Sequence, residues 1–344
     1  MHKMNQNSSN SFANTGLNNS MNSEIQINSV KDADEKRNLM VKIARMYYEG
    51  DLTQAQIAKN LQLSKPMVSR LLTEARQTKL VEVKIHYPWR NDPKIEAELI
   101  KAYGLQDALV LNAEGLSEME VHKGVGVMGA RLVEKYLEFG NTLAISRGTG
   151  VYSAVEALQP QPQLKVDVVQ IQGAMGDLLN DGSDIAMFLQ GRYSGVLHFL
   201  HAPLILENPI STQILLKEPS IREVLDRAKK ADIALVGIGA MDPKVNSLVR
   251  NRSLTCEELI DLSKQGVIGD VAGRFFGKNG EEMINVEINH RLVCIELEDL
   301  CKIPKVIGVA TGLPKVEAIH TAISAHIVNM LATDSVVAFH LLKG

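Results

Sequence analysis

Apolar residues recur at helical spacing in two short stretches between Leu52 and Val83. The first stretch places three of them on one face: Ile57, Ala58 and Leu61. The second stretch places five on its inward face: Met67, Val68, Leu71, Leu72 and Ala75. Thr53 and Ser64 precede the stretches, where a hydroxyl group can accept a hydrogen bond from an otherwise unpaired helical N–H. The pattern therefore predicts two short capped helices, with Pro66 in the first turn of the second.

The turn between these helices lacks the residue that is usual there. Gln62 follows Leu61 at a position where Gly is common. A left-handed backbone costs a residue other than Gly about 1–2 kcal/mol. Either the flanking helices hold Gln62 in that conformation, or the turn takes another shape.

Polar and basic residues face outward from the start of the second helix. This layout is typical of a recognition helix, whose N-terminal residues enter the major groove of DNA, and helix N-termini can also bind phosphates. An ordinary helical hairpin would show the same apolar spacing, but a capped helix that starts with Pro and continues as Val68-Ser69-Arg70 favours DNA binding. We expect eight residues to contact DNA: Thr53, Gln54, Ser64, Lys65, Pro66, Ser69, Arg70 and Arg76.

The distribution of charge supports this interpretation. The chain has 344 residues and a net charge of −3, yet residues 31–90 hold 12 Lys and Arg against 7 Asp and Glu. Residues 1–30 are neutral, with one Lys and one Glu, so residues 91–344 carry a net charge of −8. A basic segment on an acidic body is the electrostatic pattern of a local contact with nucleic acid.

Short apolar runs alternate with helical patterns in the rest of the chain, which predicts crossover units and a mostly parallel sheet. Strands are expected at 107–111, 142–145, 166–170, 233–237, 291–295 and 306–310. Helices are expected at 118–139, 151–158, 184–193, 221–230, 257–264 and 315–330. The fold class is thus α/β: a three-helix helix-turn-helix domain followed by a Rossmann-like domain.

Four segments follow from these patterns. Residues 1–30 contain 8 Asn and 6 Ser with little apolar content, so they cannot bury enough surface to offset the entropy of ordering. A helix at 34–49 and a strand at 80–85 complete the first domain. We predict a disordered tail over 1–30, a helix-turn-helix domain over 31–87, a linker and helix over 88–105, and an α/β ligand-binding domain over 106–344.

Small and polar residues follow several of the predicted strands, where open α/β sheets bind ligands. One strand runs into Ser146-Arg147-Gly148-Thr149-Gly150 and then a helix, so the loop can present N–H groups and a countercharge to a phosphate. A plain strand-to-helix turn explains this loop equally well when it is taken alone. Several such strand ends together favour a small phosphorylated ligand, bound by Ser146, Arg147, Gly148, Thr149, Gly150, Gln172, Gly173, Gly237, Gly239, Asp270 and Lys315.

Other kinds of site receive little support. The three cysteines lack the paired spacing of a zinc site, and free thiols are expected. His198 and His201 lie three residues apart, but apolar neighbours favour a core position over metal ligation. No apolar run reaches membrane-spanning length, and the N-terminus does not resemble a secretory signal. We expect no metal, no cofactor and no membrane contact.

Taken together, these motifs resemble those of the SorC family of sugar-responsive bacterial transcriptional regulators, over roughly residues 37–344. The resemblance implies a helix-turn-helix, an effector domain similar in fold to sugar-phosphate isomerases and deaminases, and dimers or tetramers that bind operator DNA in the cytoplasm. It also implies that a phosphorylated sugar changes the affinity for DNA, and we expect a repressor rather than an activator. The markers are Gln56-Ile57-Ala58, Ser64 to Leu72, Glu74-Ala75-Arg76, Gly148-Thr149, Gly237-Ile238-Gly239, Gly269-Asp270, Gly312, Lys315 and Thr333-Asp334.

By this resemblance, the phosphate-binding loop of the family maps onto residues 146–150 and its characteristic Lys onto Lys315. Two positions depart from the family pattern. Lys79 stands where Gly is common, and Arg147 stands where members often carry Trp.

Two other functions stay open on the sequence. A sugar-phosphate isomerase or deaminase with an added DNA-binding domain would need a placed general base, for which Asp270 is the candidate. A DNA-binding scaffold with an empty pocket would need none. Turnover of a sugar phosphate would identify the first, and the absence of any ligand response would identify the second.

Overall fold

The computed structural model describes residues 34–81, 88–174, 185, 187–189 and 191–343. The chain forms two compact units, Met1–Tyr87 and Pro88–Gly344. The predicted tail over 1–30, most of the predicted strand over 80–85 and part of the predicted helix over 184–193 lie outside the described residues. Within the described part of the chain, none of the helices is both long and apolar enough to cross a membrane.

The first unit contains three helices: α1 over residues 34–48, α2 at Gln54–Leu61 and α3 at Lys65–Gln77. The two predicted caps are confirmed. The Thr53 hydroxyl accepts a hydrogen bond from the Gln56 N–H, and the Gln56 side chain accepts one from the Thr53 N–H. The Ser64 hydroxyl accepts one from the Met67 N–H. Both helices therefore begin where a side chain satisfies an orphan N–H group.

The core of this unit lies between the three helices. Ile43, Ile57 and Val68 are fully buried there, with Leu71 and Leu72 beside them. The prediction that Met67 faces inward is wrong, because its side chain is 43% exposed. The buried stripe of α3 is centred near Val68, and a neighbouring residue in the chain is rotated by about 100° around the helix.

At the two positions of this unit where Gly is common, the residue that replaces it has a left-handed backbone. Gln62 has φ 53° and ψ 39°, and Lys79 has φ 55°. The hydrogen bond from the Leu63 N–H to the Ala58 carbonyl closes the turn after α2. The helices on either side thus hold Gln62 in the strained conformation, which settles the alternative that the sequence left open.

The second unit is built on seven parallel strands in the order β1-β9-β8-β5-β2-β3-β4. Their bounds are Asp107–Leu111 (β1), Thr142–Ile145 (β2), Asp167–Gln170 (β3), Leu197–His198 (β4), Ile233–Ala240 (β5), Lys305–Val309 (β8) and Met330–Asp334 (β9). A hairpin of β6 (Gly269–Val271) and β7 (Arg274–Phe276) pairs antiparallel with the end of β5. The predicted α/β class with a parallel sheet is confirmed.

Helices cover both faces of this sheet. They are α4 (Pro93–Tyr103), α5 (Glu118–Tyr136), α6 (Thr149–Ala157), α7 (Pro209–Leu215), α8 (Pro219–Ala228), α9 (Ser247–Arg250), α10 (Cys256–Lys264), α11 (Leu297–Cys301), α12 (Val316–Ser324) and α13 (Ser335–Lys343), with 3-10 turns at Glu287–Arg291 and Leu313–Lys315. Alternate residues of one strand enter different cores: Leu143 and Ile145 face α5 and α6, whereas Ala144 faces the opposite side. Strands buried on both faces read as continuous apolar runs.

Two predictions about these elements are wrong, and several elements were missed. Residues 291–295 do not form a strand, because Leu292 and Cys294 make only single bridges, to Ile205 and Gln172. The helix expected over 315–330 ends at Ser324, and a left-handed residue, His326, turns the chain into β9. The elements that were not predicted are the strands β4 and β9, the β6–β7 hairpin, and the helices α7, α9, α11 and α13.

The packing of α5 against α6 depends on glycine. A Cβ atom on Gly126 would lie 2.2 Å from the Ser153 hydroxyl oxygen and 2.7 Å from the Ser153 carbonyl carbon. On the next turn of α5, a Cβ atom on Gly129 would lie 2.7 Å from a methyl group of Val309. Gly126 therefore permits the close approach of the two helices, and Gly129 permits the approach of α5 to β8.

We predict that Gly126→Ala destabilises the second unit by about 1–3 kcal/mol, since the added methyl group overpacks a contact that includes backbone. Urea unfolding followed by circular dichroism measures the change. Gly191→Ala is the matched control, because nothing lies within 4 Å of its Cβ position. Equal midpoints for Gly126→Ala and the unmodified chain would show that the helices can separate at no cost.

Candidate functional site

The exposed face of α3 carries most of the residues predicted to bind DNA. Lys65, Pro66, Ser69, Arg70 and Arg76 are exposed. The Thr53 and Ser64 hydroxyls are also exposed, but both are engaged as helix caps. Gln54, in the first turn of α2, is half-buried. The structure therefore presents a continuous polar surface along α3, with the caps at its N-terminal end.

Three further residues of this face were not among those predicted to contact DNA. Thr73, Glu74 and Gln77 line a shallow groove on α3 together with Pro66, Ser69 and Arg70. Helical spacing would have found them, because Thr73 and Gln77 follow Ser69 and Arg70 at intervals of four and seven residues. Glu74 forms an ion pair with Lys36 and so links α3 to α1.

In the second unit, a cleft lies at the carboxyl ends of the central strands β2, β5 and β8. The connections after these strands run to opposite sides: β2 is followed by β3 on one side of the cleft, and β8 is followed by β9 on the other. Such a switch point is where open α/β sheets bind ligands. Nine of the eleven predicted ligand-binding residues line the cleft: Arg147, Gly148, Thr149, Gly150, Gln172, Gly237, Gly239, Asp270 and Lys315.

The other two predicted residues have structural contacts instead. The buried Ser146 hydroxyl accepts a hydrogen bond from the Gly237 N–H at 3.2 Å and donates one to the Arg147 carbonyl at 3.2 Å. It thus joins the ends of β2 and β5 and does not line the cleft. Gly173 packs against the backbone of Ala202 and Pro203, where a Cβ atom would lie 2.6 Å from their carbonyl oxygens.

The N-terminus of α6 opens into the cleft. Gly148 precedes the helix with φ 130°, a conformation that favours glycine, and it has no side chain that could cap α6. The first N–H groups of a helix have no partner within the helix, and Thr149 and Gly150 lie in the lining. Gly150 must be Gly, because a Cβ atom would lie 2.9 Å from the Val309 carbonyl oxygen. The site therefore offers N–H donors and a partial positive charge.

Two polar lining residues on α9 were not predicted. Ser247 and Arg250 reach the cleft because Asn246 folds the segment after β5. The buried Asn246 amide donates to the Ala240 carbonyl at 2.9 Å and accepts a hydrogen bond from the Leu248 N–H. The signal available in the sequence was Asn246 itself, a capping residue shortly after a strand.

Asp270 is the carboxylate of the cleft, and the hairpin holds it tightly. A Cβ atom on Gly239 would lie 1.9 Å from the Asp270 Oδ1 atom, so Gly239 leaves the room that this side chain occupies. Ala272 and Gly273 form the turn with φ of 52° and 87°, and the Gly273 N–H donates to the Asp270 carboxylate. The carboxylate is thereby fixed at the edge of the lining.

Burial shifts the pKa values of the two charged groups at this edge. Burial raises the pKa of Asp270 to about 6, although Lys315, the Gly273 N–H and Arg147 act in the other direction. Burial lowers the pKa of Lys315, and Arg250 adds to this effect, whereas Asp270 opposes it. Each group pays for desolvation and is only partly compensated by its neighbour.

The buried Arg274 holds the hairpin on the rest of the unit. Its guanidinium donates to the carbonyls of Asn289, Cys294 and Ile295 and forms ion pairs with Glu282 and Glu296. These contacts tie β7 to residues 282–296. The position of Asp270 therefore depends on a network of hydrogen bonds beneath the cleft.

The charges of the lining suit an anion that carries hydroxyl groups. Arg147, Arg250 and Lys315 face the single carboxylate of Asp270 in the lining. In the part of the chain that the structure describes, His, Cys, Asp and Glu do not cluster in threes as a metal site would require. His198 lies in β4, and His201 stacks at 5.6 Å on Phe199.

Known proteins resemble this chain over most of its length. A family model described as "Putative sugar-binding domain" matches residues 87–343. The sorbitol operon regulator of Klebsiella pneumoniae is 31% identical over 319 residues, which cover 91% of this chain and 100% of that protein. The deoxyribonucleoside regulator of Bacillus subtilis is 29% identical over 303 residues, which cover 87% of this chain and 96% of that protein.

Solved structures agree with these matches. The full-length sorbitol operon regulator SorC from Klebsiella pneumoniae superposes with a TM-score of 0.69 at 31% identity, covering 89% of this chain and 98% of that chain. A DeoR family transcriptional regulator from Listeria monocytogenes superposes with a TM-score of 0.67 at 26% identity, covering 72% and 98%. The expected α/β fold class with a parallel sheet is thus shared with solved structures of transcriptional regulators.

We predict that Asp270→Asn raises the melting temperature of the second unit at pH 7.5 but has a smaller effect at pH 5. The pKa of Asp270 lies at about 6 in the folded chain, above the value of about 3.9 in an unfolded one. The folded state therefore binds this proton more tightly and loses stability as pH rises from about 4 to 6. Thermal unfolding at both pH values tests this, and an equal or larger gain at pH 5 would contradict it.

Proposed function

Because the chain belongs to the SorC family of sugar-binding bacterial transcriptional regulators, we propose that it represses a carbohydrate-catabolism operon and that a phosphorylated sugar controls its affinity for operator DNA. The observation that carries the ligand class is the convergence of the α6 N-terminus with Arg147, Arg250 and Lys315 in one cleft. A protein that binds operator DNA must act in the cytoplasm, which is where we propose that this chain acts.

The charge balance of the cleft favours a ligand with one phosphate group. Three cations and one carboxylate leave the lining with an excess of two positive charges. A phosphate monoester carries a charge of about −1.5 to −2 at pH 7, so one such group neutralises the lining. A bisphosphate would leave an excess of negative charge. The helix N-terminus at Thr149 suits the phosphate. The Asp270 carboxylate suits a sugar hydroxyl group, because it can accept a hydrogen bond that the hydroxyl donates.

Operator binding is proposed for the exposed face of α3. Lys65, Ser69 and Arg70 lie within its first two turns, which is the part of a recognition helix that enters the major groove. The hydroxyl and N–H groups near Thr53 and Ser64 are suited to phosphate contacts. Arg70 is the strongest candidate for a base contact, because guanidinium groups pair with guanine through two hydrogen bonds.

Ligand and operator are proposed to communicate through the oligomer. We propose a homodimer or homotetramer in which the bound sugar phosphate favours one arrangement of the recognition helices. Half-sites lie about 34–36 Å apart for helix-turn-helix dimers, so a change in spacing changes DNA affinity. By thermodynamic linkage, operator DNA must change the affinity for the sugar phosphate by the same factor.

We predict that at least one sugar monophosphate raises the melting temperature of the protein by several degrees, because a ligand that binds only the folded state stabilises it by about 2.7 kcal/mol at a hundredfold excess over Kd. The measurement is a thermal-shift panel of aldose and ketose monophosphates. Each unphosphorylated sugar is the matched control and should shift the transition little, and Lys315→Met should reduce the shift.

Each other result of the panel has a meaning. A uniform lack of response would favour a scaffold with an empty pocket. Conversion of a sugar phosphate to product, assayed on every compound that binds, would favour the enzyme. A stronger response to bisphosphates than to monophosphates would contradict the charge balance of the lining.

We predict that Arg70→Ala weakens binding to promoter fragments from its own locus by about fivefold to one hundredfold, the range for loss of one Arg–base contact. Gel shifts at fixed salt concentration measure the affinity. Lys230→Ala, which removes an exposed charge from the turn after α8 in the other unit, is the control. Unchanged affinity for Arg70→Ala would remove Arg70 from the DNA contacts.

A further inference from the structure

One ionisable side chain beside the cleft has no part in the function described so far. His122 lies on the second turn of α5 and is half-buried. Its Nε2 atom lies 3.2 Å from the carbonyl oxygen of Thr149, the first residue of α6. A carbonyl oxygen only accepts hydrogen bonds, so the Nε2 atom must carry the hydrogen and donate it.

This hydrogen bond acts on a peptide group that faces the cleft. The Thr149 carbonyl and the Gly150 N–H belong to one planar peptide unit. Gly150 lies in the lining, and its N–H is among the first of α6, which have no partner within the helix. A second donor on this carbonyl, beside the helical hydrogen bond of α6, therefore further restrains the direction of the N–H. It also makes that N–H a stronger donor, because hydrogen bonds in a chain polarise one another.

Packing between α5 and α6 holds His122 next to the peptide between Thr149 and Gly150. Gly126, one turn beyond His122 on α5, allows Ser153 of α6 to approach closely. The Ser153 hydroxyl lies 3.5 Å from the His122 carbonyl oxygen, a second contact between the same two turns. On its far side, Gly150 lies against the Val309 carbonyl. The peptide between Thr149 and Gly150 is thus held from both sides.

We propose that His122 is a positioning residue of the anion site, which aims the Gly150 N–H at a bound phosphate through its hydrogen bond to the Thr149 carbonyl. This inference rests on the proposed binding of a phosphorylated ligand in the cleft. His122 itself does not line the cleft and acts through the peptide.

The charges around His122 add a dependence on pH. Burial lowers its pKa, and Lys315 and Arg250 lower it further, whereas the hydrogen bond to Thr149 and the carboxylate of Glu118 act in the other direction. A phosphate bound between the cations would offset their repulsion and raise the pKa of His122. Binding should therefore be accompanied by proton uptake at His122, beside the titrations of Asp270 and of the phosphate itself.

The test measures the affinity of the full chain for inorganic phosphate and for ribose 5-phosphate by isothermal titration. His122→Leu removes the donor and should weaken binding of both by about threefold to tenfold, as expected for one hydrogen bond. His122→Gln keeps an N–H donor of similar reach and should restore most of the affinity at pH 8. Because Gln does not titrate, that variant should take up fewer protons on binding near pH 6 than the unmodified chain.

Two controls separate positioning from folding. His340→Leu makes the same substitution at an exposed residue of α13 that does not line the cleft, and it should leave phosphate affinity within about twofold. Melting temperature and gel shifts without added anion report whether each variant is folded. If His122→Leu does not fold, the comparison of His122→Gln with the unmodified chain at pH 8 and pH 6 still decides.

The two proposals fail in different ways. Phosphate affinity equal to that of the unmodified chain in folded His122→Leu would overturn the role of His122 and leave the anion site intact. The same proton uptake in His122→Gln and the unmodified chain would overturn the electrostatic coupling. Absence of binding by the unmodified chain, to inorganic phosphate and to every sugar phosphate, would overturn the anion site and this inference together.

Discussion

The close contact between α5 and α6 is the constraint on which the cleft depends. Gly126 and Gly129 let α5 approach Ser153 of α6 and Val309 of β8 at distances that any side chain would prevent. Gly150 meets the Val309 carbonyl in the same way. The first turn of α6 is therefore held by steric contacts, and its N–H groups keep one direction without a capping side chain. A preorganised donor set loses less entropy when a ligand binds.

This rigidity contrasts with the cost of the charges that surround it. Asp270 and Lys315 are both shifted toward their neutral forms by burial. The unit therefore loses stability to keep a carboxylate and an ammonium group in the cleft, as functional sites often do. Arg274 beneath the hairpin is a buried charge whose cost is compensated, because carbonyl oxygens and two carboxylates surround its guanidinium group. This difference supports the proposal that a ligand binds in the cleft and not at the base of the hairpin.

The sequence predicted those parts of the structure that are encoded locally. Strand β2 and the caps Thr53 and Ser64 depend on nearby residues, and the structure has them as expected. The break after Ser324 was missed because no Gly or Pro marks it, and His326 supplies the left-handed turn instead. The hairpin that carries Asp270 was missed because each of its strands has only three residues.

The candidate site shows the same limit. Residues at the strand ends could be predicted, because parallel strands bring their carboxyl ends together. Ser146 was assigned to the ligand, but a hydroxyl at a strand end can equally bind the neighbouring strand, and here it binds the Gly237 N–H. Arg250 and His122 were missed for a different reason. Each reaches the site through the packing of an entire helix, and the spacing of residues along the chain does not contain that contact.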